Sequence, residues 1–273
     1  MKNLRAATGY SRNGLPYNRL GSGPRTLVVF QGGVFENKPA TGLLSQILVN
    51  PYNFLGKDFT VYVVLRRPGL PQGYSLKDMA DDYAVMVRDE LGAPVDVIGM
   101  STGGSIAQHF AADHPELVRR LVLHSSAYTL SKPARDLELR VASLASRRLW
   151  RAAYKAQLDP MFTLGGITRY LARPVWPIVI YVTAMLDSPE DPSDLVVTIE
   201  AEDKHNFKER LGQITAPTLV AAGDQDGFYS EALFCETAEG LPDARLIFYK
   251  GQGHPVYGRR FQRDVLQFLK EIG

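Results

Sequence analysis

The apolar run Val95-Asp96-Val97-Ile98 passes straight into Gly99-Met100-Ser101-Thr102-Gly103, and a helix-period stretch comes directly after it. A strand that turns directly into a helix leaves the apical residue, Ser101, in a backbone conformation with little room on either side. Small residues are wanted two positions before and two after it, where Gly99 and Gly103 stand. The segment therefore reads as strand, sharp turn and helix, with the helix beginning at Thr102 and the Ser101 hydroxyl presented at the apex rather than buried.

The same alternation runs through much of the chain. Strand-like runs occur at Thr26 to Phe30, Thr60 to Leu65, Val95 to Met100, Leu121 to Leu123, Pro217 to Ala222 and Arg245 to Tyr249. Between them, Ser75-Leu76-Lys77-Asp78 resembles a capping box, followed by the apolar stripe Met79, Tyr83, Met86 and Val87. The helix after Ser101 turns Ile106, Ala107, Phe110 and Ala111 inward and stops before Pro115, and a final helix presents Phe261, Val265, Phe268, Leu269 and Ile272. This pattern predicts an α/β fold, a mostly parallel central sheet flanked by helices on both faces.

From about Tyr128 to Gln213 the rhythm changes to a mostly helical pattern, expected to be an insertion over the sheet. Leu137, Val141, Leu144 and Leu149 form its apolar stripe, while Arg135, Arg140, Arg147, Arg148, Arg151 and Lys155 read as a solvated basic face. Pro160, Gly165, Gly166, Pro174 and Pro177 punctuate the second part of the insertion, and Ser188 to Ser193 is a polar loop.

The 273 residues suffice for one large α/β domain with such an insertion. Thirty-one Lys and Arg against 29 Asp and Glu give a net charge of +2, too little for a protein held on nucleic acid by phosphate neutralisation. A small-molecule substrate is the expected partner. The N-terminus lacks an apolar core of signal-peptide length, and the run Val175 to Leu186 is broken by Pro177 and too short to span a bilayer. No stable membrane insertion and a cytoplasmic location are expected. The single cysteine, Cys235, excludes an intrachain disulfide and reads as a small buried hydrophobe.

A serine hydroxyl is a weak nucleophile until a neighbouring base takes its proton. Of the five histidines, His254 lies in Gly251-Gln252-Gly253-His254 just beyond a strand, where glycines let its ring reach the carboxyl edge of the sheet. His124 ends a strand near the same edge and is the competitor. His109 and His114 read as outer-face and helix-end residues, and His205 as a surface residue of the insertion. A third group must orient the imidazole. Gly223-Asp224-Gln225-Asp226 comes after a strand and offers two carboxylates.

The segment Val95 to Ala107 resembles the nucleophile elbow of the α/β-hydrolase family, in its serine-nucleophile, esterase-like branch, and the resemblance extends over Gly21 to Ala127 and Ile214 to Gly273. It implies a core of residues 1–127 and 214–273 and a helical lid or cap at 128–213. Ser101 would be the nucleophile and His254 the base, in the family's Ser, acid, His order, which His124 would break. The family pattern sets the acid three residues after the glycine closing its strand, on Asp226, leaving Asp224 a turn role. The oxyanion hole would use the backbone amides of Thr102 and, in the loop Gln31-Gly32-Gly33-Val34, of Gly33. That loop lacks the Lys and Ser/Thr of a phosphate loop, and it carries Gln31 where relatives have histidine, a change read as altered bracing. A second departure is Leu65-Arg66-Arg67-Pro68-Gly69-Leu70, where relatives show Asp-x-Arg-Gly-x-Gly; Arg66 reads as a structural ion pair, with contact to an acidic substrate as the alternative. No metal or organic cofactor is implied. The activity expected is hydrolysis of a small carboxylic ester, lactone or thioester through an acyl-enzyme. Carbon–carbon hydrolysis or perhydrolase-like chemistry with the same residues is the alternative, and a non-catalytic receptor a further one.

Overall fold

Strands β3 (Arg25–Phe30), β5 (Val95–Met100), β6 (Val118–His124) and β7 (Thr218–Gly223) are buried along most or all of their length. Such strands need cover on both faces. The computed structural model, which describes residues 6–163, 182 and 188–271, supplies that cover. Eight strands form one sheet in the order β1 (Ala7–Tyr10), β2 (Pro16–Leu20), β4 (Phe59–Val64), β3, β5, β6, β7 and β8 (Ala244–Tyr249). From β4 through β8 all pairs are parallel, while β1–β2 and β2–β4 are antiparallel.

Alternate side chains of the strands enter two cores. Val28, Phe30 and Val97 face helices α2 (Leu76–Met86) and α3 (Thr102–Asp113). Leu27, Val29 and Ile98 face the other side, where Leu44 and Leu48 of α1 (Gly42–Leu48) and Phe261, Val265 and Phe268 of the last helix pack. The start of α2 is fixed by a reciprocal cap, Asp78 N–H to Ser75 Oγ at 3.1 Å and Ser75 N–H to Asp78 Oδ2 at 2.9 Å. The chain runs from β3 to β4 on one side, then crosses back to β5 on the other, with Phe30 beside Gly99. At such a reversal the loops after the two strands part and leave a crevice at their carboxyl ends.

Between β6 and β7 lie α4 (Lys132–Ser146), α5 (Trp150–Thr163) and α6 (Ser193–Asp203). Val141, Ala142, Ala145, Ala153, Leu195 and Ile199 form a small core of their own. Asp194 pins α6 to the loop after β4 by accepting from the amides of Gly69 and Leu70 at 3.1 and 2.7 Å.

Several expectations need correction. Leu149 is 43 % exposed, because α4 ends at Ser146 and the chain turns at Arg148, whose φ is 56°. Pro160 lies inside α5, where it has no amide to donate to the preceding turn. His205 is buried, stacked on Phe207. Cys235 is half-buried. The β1–β2 hairpin, turning at Gly14 with φ 89°, has no counterpart among the expected strands. The run Val175 to Leu186 apart from Val182, with Gly165, Gly166, Pro174, Pro177 and Ile272, lies outside the described residues. Among the described residues no helix is long and apolar enough to cross a membrane.

Candidate active site

The turn after β5 is as tight as its spelling requires. Ser101 has φ 51° and ψ −126°, a strained conformation for a residue with a side chain. The flanking glycines are explained by close approach. A Cβ on Gly103 would lie 2.0 Å from the carbonyl oxygen of Phe30, and one on Gly99 would lie 2.6 Å from the Cα of Gly104. Glycine at both positions lets α3 begin against the ends of β3 and β5. The Ser101 amide, meanwhile, donates to the carbonyl of His124 at 3.0 Å, which ties the turn to β6.

The loops after β7 and β8 are joined to each other. Gly251 N–H donates to Asp224 Oδ1 at 2.6 Å, and Gln225 N–H donates to the carbonyl of Gln252 at 3.0 Å. Asp224 thus ties the two loops together instead of capping its own turn. Asp226 is left facing the crevice side, where its Oδ1 accepts from the amides of Phe228 and Tyr229 at 2.8 and 3.1 Å. Its Oδ2 is 2.8 Å from His254 Nδ1. A carboxylate so supplied with donors acts as acceptor, so Nδ1 carries the proton and Nε2 is free to accept. Ser101 Oγ lies 3.0 Å from that Nε2. The Asp226 side chain is fully buried and that of His254 is 5 % exposed, with Phe228 packed on the ring at 4.7 Å. The structure therefore brings together Ser101, His254 and Asp226 in one hydrogen-bonded relay.

The other histidines stand apart from it. His124 is buried with Nε2 2.7 Å from the Val256 carbonyl and its ring on Phe261; burial pushes it down to about 4. His114 caps the end of α3 and contacts Asp81 at 2.8 Å. His109 and His205 neighbour each other away from the relay, and burial lowers them to about 4 and about 3.

Gly33 and Thr102, the two expected amide donors, both line the cavity beside Ser101. Thr102 opens α3, where the first amides have no carbonyl of their own helix to reach. The loop holding Gly33 is braced from behind by Arg66, which is 1 % exposed. Arg66 Nη1 donates to the carbonyls of Gln31 and Gly32 at 3.0 Å each, and Nη2 donates to Gly32 at 3.1 Å. This corrects both readings of Arg66, since it is neither an ion pair nor a substrate contact. Gln31 is buried and donates to the Leu48 carbonyl at 3.3 Å. Arg67 pairs with Asp82 at 3.1 Å.

Above Ser101 lies a cavity of about 230 Å³, walled by Phe35, Leu48, Tyr154, Leu195, Ile199 and Phe228. Glu36, ion-paired to Lys38, lines it too, and two further carboxylates reach it, Glu138 from α4 and Glu202 from α6. Neither stands out in composition, yet both have a signal. Glu138 repeats with Ala134, Val141, Ala142 and Ala145, and Glu202 with Leu195, Thr198 and Ile199, so each falls on the buried stripe of its helix. Among the described residues no cluster of His, Cys, Asp and Glu could hold a metal ion.

A sequence profile of the alpha/beta hydrolase family matches residues 43–263, which span the elbow and both loops of the relay. The chain belongs to that family. It is 26 % identical over 269 residues to a 2-hydroxy-6-oxononadienedioate/2-hydroxy-6-oxononatrienedioate hydrolase of a Pseudomonas species, covering 92 % of this chain and 90 % of the relative. A pimeloyl-(acyl-carrier protein) methyl ester esterase of Chromobacterium violaceum is 24 % identical over 258 residues, covering 92 % and 95 %. The crystal structure of the enol-lactonase from Burkholderia xenovorans LB400 shares the fold with a TM-score of 0.79 at 22 % identity, over 97 % of this chain and all of that one.

Proposed function

We propose that this α/β hydrolase is a serine hydrolase of small carboxylic esters, with Ser101 as nucleophile, His254 as general base and Asp226 as the group that orients it. The observation that carries the reading is the relay itself, 3.0 Å from Ser101 Oγ to His254 Nε2 and 2.8 Å from Nδ1 to Asp226, opening on an apolar cavity. Ser101 Oγ attacks the carbonyl carbon as Nε2 takes its proton, and the imidazolium is stabilised by Asp226. The amides of Thr102 and Gly33 receive the charge that develops on the carbonyl oxygen. Because the Gly32–Gly33 peptide is trans, the Arg66 bonds to the Gly32 carbonyl direct the Gly33 N–H to the opposite side, away from Arg66. His254 then protonates the leaving alcohol, and a water deprotonated by the same nitrogen releases the acid. The helices between β6 and β7 serve as a lid that shapes the pocket.

The test is labelling by a fluorophosphonate probe beside turnover of short p-nitrophenyl esters. Labelling at Ser101, with both labelling and turnover abolished by Ser101→Ala, is the expected result. A folded protein that is neither labelled nor active on a broad ester panel overturns the reading.

A further inference from the structure

The cavity that holds Ser101 is mostly apolar, and apart from the Glu36–Lys38 pair its charged lining among the described residues is acidic. Glu202 is 3 % exposed; its Oε1 accepts from Ser105 Oγ at 2.7 Å, the Thr102 side chain also bears on the carboxylate, and the buried Oε2 makes no hydrogen bond of full geometry among the described residues. Glu138 accepts from Gln157 Nε2 at 2.8 Å and faces the same space. Among the described residues the remaining charges offset them only in part, Arg66 acting on Glu202 from outside the cavity lining. Lys38 lines the cavity as well, but its Nζ is 2.7 Å from Glu36 Oε2 at a position where both side chains are about 40 % exposed. Arg66 is a buried cation that does not line the cavity, and its Nη atoms are committed to the Gln31 and Gly32 carbonyls. Among the described residues, the charged groups lining the substrate space thus sum to an excess of carboxylate, Glu36, Glu138 and Glu202 against Lys38.

A buried carboxylate oxygen without a donor is costly, and the cost is relieved by an occupant that brings N–H groups or positive charge. We infer that the pocket selects an ester bearing an ammonium group within a short chain of the scissile carbonyl, held by Glu138 and Glu202, and that it disfavours a carboxylate at the same place. This inference rests on the ester-hydrolase reading of Ser101 and names the substrate class for it. It also separates this chain from the Pseudomonas relative, whose named substrates are dioates. Burial raises both acids, Glu138 to about 7, and an ammonium occupant favours their ionised forms.

Matched esters at pH 8 test it: phenyl hexanoate, phenyl 6-aminohexanoate and monophenyl adipate for the acyl side, with choline butyrate against 3,3-dimethylbutyl butyrate for the alcohol side. In at least one pair the cationic ester exceeds its neutral partner in kcat/KM by about tenfold or more, and the adipate half-ester falls below the hexanoate by a similar factor. In Glu138→Gln or Glu202→Gln the ratio of cationic to neutral turnover shrinks towards one. A preference for the adipate half-ester, or ratios unmoved by both variants, overturns the inference. Calorimetric titration with hexylamine and with hexanoate reads the same charge preference without turnover. An inactive protein that still prefers hexylamine therefore refutes the ester reading alone, and an active one without charge preference refutes only the selectivity.

Discussion

Arg66 offers the sharpest single perturbation. Its three hydrogen bonds, at 3.0, 3.0 and 3.1 Å, end on two consecutive carbonyls, and one of these belongs to the peptide whose other end is the Gly33 amide. Lysine keeps the charge but offers one nitrogen, which does not reproduce the planar fork. Arg66→Lys leaves at least one buried carbonyl without a good donor, at a cost of about 1 to 3 kcal/mol in stability. It also releases the peptide that aims Gly33. An oxyanion donor contributes about 3 to 4 kcal/mol to the transition state, and a displacement of about 1 Å can remove about 100-fold in rate. The expected outcome is a folded enzyme with kcat lower by roughly 30- to 300-fold and KM within about threefold, because the donor acts on charge that develops only in the transition state. Urea unfolding at 25 °C gives the stability term, and steady-state kinetics on a short neutral p-nitrophenyl ester give the split between kcat and KM. A folded Arg66→Lys with kcat within about threefold of the parent refutes the positioning role.

Asp226→Asn leaves the loop in place but removes the acceptor that sets the His254 tautomer; kcat should fall by about four orders of magnitude with little change in unfolding midpoint, and a loss below about tenfold would contradict the assignment. Gly103→Ala forces a Cβ to within 2.0 Å of the Phe30 carbonyl oxygen, so α3 must withdraw from β3; a loss of about 3 kcal/mol in urea unfolding is expected, and a near-neutral effect would show that the contact relaxes freely. Burial, with Glu202 adding and Gln157 and His254 opposing, raises the folded pKa of Glu138 to about 7, so the folded state binds its proton more tightly than the unfolded state. Stability from this group is therefore lost as pH rises from the unfolded carboxylate value to about 7, with the full penalty present above that. Between pH 5 and pH 8 the parent should lose on the order of 2 kcal/mol relative to Glu138→Gln, and parallel pH profiles of the two proteins would remove the basis for it.

How much of the molecule is legible in the sequence depends on the range of the forces involved. The elbow is legible because the requirement for Gly99 and Gly103 arises from a turn of a few residues, although the atoms they avoid, Phe30 O and Gly104 Cα, are known only once β3 lies beside β5. Asp224 and Asp226 are alike in composition. Their division of labour depends on Gly251 and Gln252 arriving from another loop, and the family pattern is needed to choose between them. The hairpin Ala7–Tyr10 with Pro16–Leu20 escapes a reading by apolar runs because edge strands alternate polar and apolar residues and are short; Tyr10 is 56 % exposed. Arg66 is visible as a departure, but its partners are main-chain carbonyls, which no side-chain pattern reveals. The expectations for Leu149 and His205 fail for one reason, that a helix ending at Ser146 and packing around Phe207 are tertiary facts.

The relay is shared among the loops after β5, β7 and β8, and Ser101 and His254 are 153 positions apart along the chain. No fragment shorter than residues 101–254 holds all three groups, and β6 must be seated between β5 and β7 before the loops can meet. Closing so long a loop carries an entropic cost that is recovered only when the whole run of strands has docked. Regain of hydrolase activity during refolding is thus a clock for the final long-range assembly of the sheet, and helix signals in circular dichroism should recover ahead of it. A chain nicked between β6 and β7 loses activity when its two pieces separate, however well each retains its local helices.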